Sequence, residues 1–225
     1  MKTLVLVLFA SMILSGCGSG DAVAPTAEKT VTPEVYKTTY STEKLFPLVS
    51  TEATLFKLTG SDNNGGVWSG SWLSRGDGQT VFEGQAVTKT TQQIELTLQG
   101  VRSTSYVTSY YRADRSLYKA IYSGTTSGYA VQTNDFINPL SYKIGDIISG
   151  PAITSYINGV TDYQTSSSQI TEGENGNAKV TATIHLASGT TGTTELVITP
   201  AGDLLSIKMS FQYPSGMKVN LNGSL

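Results

Sequence analysis

In residues 179–187 every second side chain is apolar. Val180, Ala182, Ile184 and Leu186 take one face, while Lys179, Thr181, Thr183 and His185 take the other. Residues 204–213 repeat the pattern, with Leu205, Ile207, Met209, Phe211 and Tyr213 set against Ser206, Lys208, Ser210 and Gln212. Residues 217–223 do so again, with Met217, Val219 and Leu221 against Lys218, Asn220 and Asn222. A helix advances about 100° per residue and would spread such a pattern around its circumference; a strand sends successive side chains to opposite faces. These segments are therefore strands of a sheet with one buried face. Pro200-Ala201-Gly202-Asp203 and Pro214-Ser215-Gly216 have turn chemistry, Pro presetting φ and Gly permitting φ > 0. The last three strands are expected to form an antiparallel meander.

Further strands are expected near 53–59, 67–74, 79–89, 93–99, 104–112, 116–123, 144–149 and 151–158. No segment keeps a helical period over 12 residues. The 31 Thr, 12 Tyr and 23 Gly favour strands and turns over a helical bundle. Leu, Ile, Val and Phe make up 54 of 225 residues, enough apolar surface for a core. The predicted fold class is all-β: an antiparallel up-and-down meander of about ten or eleven strands, curled as a half-barrel or closed as a barrel. A β-sandwich is the alternative.

Charge and motif content exclude several functions. With 15 Lys and Arg against 17 Asp and Glu there is no basic footprint, so no nucleic-acid partner is expected. One His and one Cys cannot supply a Cys/His metal cluster or a disulfide framework. The chain holds no G-x-S-x-G and no H-E-x-x-H, and His185 lies on a polar strand face without a nucleophile motif nearby. The loops 61–66 and 172–177 collect oxygen ligands beside glycines, but Asn-Gly pairs are hairpin signals and neither loop has calcium-loop spacing. No catalytic residue, no metal site and no cofactor is expected; the protein reads as a non-enzyme.

The N-terminus carries an address. Lys2 gives a short positive n-region, and residues 4–14 are apolar except for Ser11. About eleven residues are too few to span a bilayer, which needs roughly 20 as a helix, and are the right length for a secretory h-region. The following Leu14-Ser15-Gly16-Cys17 resembles the lipobox of bacterial lipoproteins: an aliphatic residue, two small ones and the acceptor Cys, here the only Cys in the chain. The resemblance implies cleavage between Gly16 and Cys17 by signal peptidase II, a diacylglyceryl thioether on Cys17 and an acyl chain on its amine. Two or three acyl chains make membrane attachment stable, where one is marginal. Residue 18 is Gly rather than the Asp that resembles an inner-membrane retention signal. The expected location is the outer membrane, facing the periplasm, with the cell surface as the alternative.

The expected organisation is a signal peptide at 1–16, a lipidated Cys and flexible tether at 17–44, and a single all-β domain at 45–225. The tether holds Pro25 and Pro33 with little periodicity and as a flexible chain reaches on the order of 25–30 Å.

Aromatic residues mark the candidate binding surface. Six of the twelve Tyr fall between 106 and 129. Tyr106 and Tyr110 are expected on one strand face, and Tyr118 and Tyr122 together on a face of the next. Trp68 and Trp72 share a face with Gly70 between them, an opening for a ligand or an anchor for the barrel's end. Tyr pairs an apolar body with a polar tip, which suits a wet platform for a glycan, lipid or protein.

In architecture the chain is similar to β half-barrel lipoproteins of the periplasm, with an anchor, a polar tether and a meander with an apolar inner face. That resemblance implies a hydrophobic ligand in the concave face but carries over no ligand-binding residue. Two functions are expected in turn: a non-enzymatic interaction or scaffolding module at the outer membrane with an envelope protein as partner, and, as the alternative, a lipocalin-like or half-barrel carrier of a hydrophobic ligand.

Overall fold

The computed structural model describes residues 38–45 and 53–225. Twelve strands form its wall: β2 (Ala53–Asp62), β3 (Val67–Phe82), β4 (Gln85–Leu98), β5 (Val101–Tyr111), β6 (Leu117–Gly124), β7 (Gly128–Gln132), β10 (Ile153–Ile157), β11 (Val160–Glu172), β12 (Ala178–Leu186), β13 (Thr191–Ile198), β14 (Leu204–Gln212) and β15 (Lys218–Ser224). Three short strands, β1 (Thr39–Ser41), β8 (Ser141–Lys143) and β9 (Ile147–Ser149), stand outside that ring. The single helical element among the described residues is a 3-10 turn at Glu174–Gly176.

Every wall strand runs antiparallel to its neighbours in chain order, except that β10 follows β7 directly. β10 also pairs with β11, and β15 returns to pair with β2. The sheet is therefore a closed antiparallel barrel rather than an open half-barrel or a sandwich. Closure leaves no wall strand with a free edge to recruit another chain.

Local turn chemistry sets the hairpins. Glu83-Gly84, Gln99-Gly100 and Asn158-Gly159 each place two consecutive residues at positive φ, the twist that suits two-residue hairpin loops. Glu83-Gly84 divides the segment 79–89, expected as one strand, between β3 and β4. Three strands carried too little alternation to be expected at all. β11 turns Gln164, Ser166 and Ser168 to its inner side, β13 turns Gly192 and Thr194, and β7 is only five residues long. β13 also separates β12 from β14, so the C-terminal meander has four strands where three were expected.

The inner face is filled with side chains. Phe56, Ile94, Val107, Ile184, Phe211 and Val219 come from β2, β4, β5, β12, β14 and β15 and keep no accessible surface. They belong to one contiguous apolar cluster that draws on strands around the ring. A water-filled lumen would leave such lining residues accessible. On the C-terminal strands the outer face is polar: Thr181, Thr183 and His185 on β12, Lys208 and Ser210 on β14, and Asn220 and Asn222 on β15 alternate with the core residues. In these strands the pattern is the reverse of that in a membrane-spanning barrel, which turns its apolar residues outward.

Glycine allows the tight bends at one corner. Gly60 pairs with Trp68, and Gly70 with Leu58. A methyl group at Gly70 would lie 1.9 Å from the Glu95 carbonyl oxygen, and one at Gly60 1.9 Å from that of Asn220. No side chain fits where neighbouring backbones come this close.

One mouth is stoppered. β1 pairs with β8, and this ribbon touches turns on separate parts of the rim. The Ser41 amide donates to Pro200 O, the Tyr40 hydroxyl donates to Gly176 O, and Arg115 donates to Pro139 O beside Thr42. Tyr40, Leu45, Phe136 and Tyr142 pack beneath it on Ile170, Val180 and Ile198. Residues 39–45, expected at the end of the tether and the start of the domain, thus form part of the folded body. The lipobox, the signal segment and the rest of the tether lie outside the described residues.

Candidate functional site

The six aromatic residues expected to form a binding surface divide between the two sides of the wall. Trp68, Trp72 and Tyr122 point inward and are buried. Trp72 stacks on Phe56 with ring centroids 5.6 Å apart. The Trp68 indole N–H donates to Asp62 at 2.9 Å, and Asp62 also accepts the amides of Asn64 and Gly66. The oxygen-rich 61–66 loop is therefore a turn whose carboxylate holds a core indole. The Trp68 bond, then the Gly66 amide, keep the Asp62 carboxyl below its ordinary range. Of the two readings of this face, a ligand opening at Gly70 or an anchor for the barrel's end, the buried indoles fit the anchor, and the space at Gly70 is filled by the approaching backbone of β4.

Tyr106, Tyr110 and Tyr118 stand outside, and the structure gives them neighbours that the sequence did not single out. The β3–β4 hairpin carries a bulge at Asp77, and bulges bend and twist a strand. Its tip leans over the outer face of β5 and β6. Phe82 stacks on Tyr110 with centroids 3.8 Å apart and planes 5° from parallel, and meets Tyr118 edge-on at 6.3 Å. Glu83 at the tip accepts the Lys119 ammonium at 2.6 Å and the Tyr118 hydroxyl at 2.9 Å. The Lys119 bond, followed by that of Tyr118, lowers the Glu83 pKa, and the Glu83 bond raises that of Lys119.

Lys119 joins this group to a second one. Its ammonium lies 5.7 Å from the Phe82 ring centroid and 5.1 Å from that of Tyr129. Tyr129 of β7 and Tyr156 of β10 are directly paired across strands, and their rings stack at 4.8 Å. Both are 40% exposed, and Tyr163 on neighbouring β11 is 45% exposed. The result is an outward aromatic band over β5, β6, β7, β10 and β11, about 19 Å across at the usual strand spacing of roughly 4.8 Å. The pairing of Tyr129 with Tyr156 spans 27 residues of chain and leaves no local signal; only a known β7–β10 contact would have disclosed it.

Two of the recesses among the described residues bear on a ligand. One of about 270 Å³ lies at the stoppered mouth between Leu45, Leu55, Trp72 and Leu204, with the Lys44–Asp203 ion pair at 2.5 Å beside it. The other, about 420 Å³ and polar, is lined by Arg112, Asp114, Ser116, Gln132 and Asp135. Among the described residues no three His, Cys, Asp or Glu side chains are placed to share a metal ion. His185 is exposed on β12 between Thr165 and Thr191. No described helix is long and apolar enough to cross a membrane.

Comparison with protein-family models, curated proteins and solved structures gave no match to this chain.

Proposed function

We propose that the protein is a lipid-anchored, non-enzymatic interaction module of the bacterial envelope, attached through Cys17 to the outer membrane, facing the periplasm, and binding its partner through the outer aromatic band. The observation that carries this reading is the contrast between the two faces of the barrel. The inner face is used up by its own packing, whereas the outer wall leaves Tyr106, Tyr129, Tyr156 and Tyr163 at least 40% exposed in one region. Exposed aromatics gathered this way are costly to leave in water and are typical of binding surfaces. The lipobox supplies the anchor. β1 enters at the stoppered mouth, so an anchor at Cys17 attaches the barrel by that end.

The carrier reading has the 270 Å³ recess beside Trp72 in its favour, a volume just below the usual range for ligand pockets. The inaccessible interior side chains weigh against it.

The test combines two readouts in cells. Metabolic palmitate labelling is expected in the unaltered chain and absent in Cys17→Ala. A photo-crosslinking residue at position 156 is expected to give an adduct, discrete or polydisperse, that the same residue at position 220, on the far wall, does not. Palmitate incorporation in Cys17→Ala overturns the anchor, and equal adducts from both positions overturn the surface.

A further inference from the structure

The two cations of the aromatic band are both engaged within the protein, Lys119 by a carboxylate and Arg112 by neutral groups. The Lys119 ammonium is taken up by Glu83 and lies over the Phe82 and Tyr129 rings. The Arg112 guanidinium lies 5.1 Å over the Tyr118 ring and donates to Ser116 and to Leu117 O. A partner bearing formal charge would have to displace the Lys119–Glu83 pair or draw Arg112 away from Ser116, Leu117 O and the Tyr118 ring. A purely alkyl partner fares no better, because it would cover the Tyr hydroxyls and the outward Thr108 and Thr154 without satisfying them. What remains is a ligand with C–H faces to lie on rings, hydroxyls to meet the polar tips, and no net charge.

We infer that the band binds a neutral polysaccharide, with the stacked Tyr129 and Tyr156 rings as its central platform. The inference rests on the reading of the band as the binding surface and adds the class of partner. Pyranose rings carry axial C–H groups on their faces and hydroxyls around their edges. Their C–H faces pack on the exposed parts of Tyr129 and Tyr156, and their hydroxyls exchange hydrogen bonds with Tyr tips and strand Thr. A band about 19 Å across five strands suits an extended chain of sugars better than a single one.

The experiment is affinity electrophoresis of the full chain in detergent, in gels cast with dextran, laminarin or galactomannan, and with alginate as the anionic counterpart. At least one neutral polysaccharide is expected to slow the chain, and alginate is not. Tyr129→Ala and Tyr156→Ala should each weaken retention about tenfold, close to 1.4 kcal/mol, while Tyr156→Phe, which keeps the ring and loses one hydroxyl, should weaken it only about two- to threefold. In the unaltered chain the same polysaccharide should protect Tyr129 and Tyr156 from nitration, a readout independent of whether any variant folds. Passage through all three neutral gels at control mobility, or retention by alginate alone, overturns the inference. So does retention without protection of the two tyrosines. A discrete protein adduct from position 156 together with a failed polysaccharide series rejects the sugar and keeps the interaction module; loss of both rejects the surface itself.

Discussion

Tyr118 and Tyr122, four residues apart on β6, stand on opposite sides of the barrel wall. Consecutive residues Tyr110 and Tyr111 on β5 face Lys119 and Leu117, which leaves Tyr118 as an extra residue on the partner strand. Beyond that bulge the alternation restarts in the other phase. Tyr118 reaches outward to Glu83, while Tyr122 is 2% exposed within the core.

The two tyrosines should therefore respond differently to truncation. Tyr122→Ala leaves a ring-sized void and is expected to cost about 3–5 kcal/mol, as other large aromatic truncations do. Tyr118→Ala removes one hydrogen bond, an edge contact and the ring beneath Arg112, all at the surface, and should cost about 1 kcal/mol. Urea denaturation of both variants checks this; equal losses would place the two side chains in equivalent surroundings.

Gly70→Ala tests the tight corner. The added methyl would lie 1.9 Å from the Glu95 carbonyl oxygen, so β3 and β4 must separate. Overpacking of this kind costs about 1–3 kcal/mol or more. A thermal melt is expected to fall by several degrees, and an unchanged melt would show that the corner is looser than its geometry.

Asp62 makes the fold acid-sensitive at one turn. Its pKa is lowered in the folded state, first by the Trp68 N–H and then by the Gly66 amide, relative to an unfolded value near 3.9. The stabilisation is present above about pH 4 and is lost as the pH falls through the lower folded value. Asp62→Asn should remove that part of the acid transition and alter Trp68 emission. Superimposable acid profiles for the variant and the parent would remove Asp62 from the account.

The filled interior predicts an empty chain in native mass spectrometry. The full chain, released gently from detergent, should show its own mass, with the covalent lipid proposed at Cys17, and no further hydrophobic molecule, and should not enhance the fluorescence of a hydrophobic dye. A non-covalent lipid mass lost on denaturation would favour the carrier.

How much of this was legible depended on which residues faced inward. β12, β14 and β15 carry apolar inner faces, so their alternation read directly as strands. β11 and β13 turn Gln164, Ser168, Gly192 and Thr194 into the barrel, and polar or small inner residues erase the period-two signal although the backbone geometry is the same. The candidate surface failed locally for a related reason. A strand pattern counts faces by parity, and one bulge residue at Tyr118 reverses the parity of everything after it. Trp68 and Trp72 were correctly placed on one face, but their side of the wall depended on what Asp62 and Phe56 offered them. The band is assembled from the tip of one hairpin and from strands paired over long separations, and parity along any single segment does not report such contacts.

The seam between β15 and β2 joins residues 219–224 to residues 57–62. Synthesis of the first eleven wall strands thus yields a sheet still bearing two naked edges, on β2 and on β14. A chain truncated just before Lys218 would present both edges to its neighbours, and two such chains would supply what each lacks. The last seven-residue strand acts as a clasp: until it is in place, the same wall that isolates one molecule is a template for joining many.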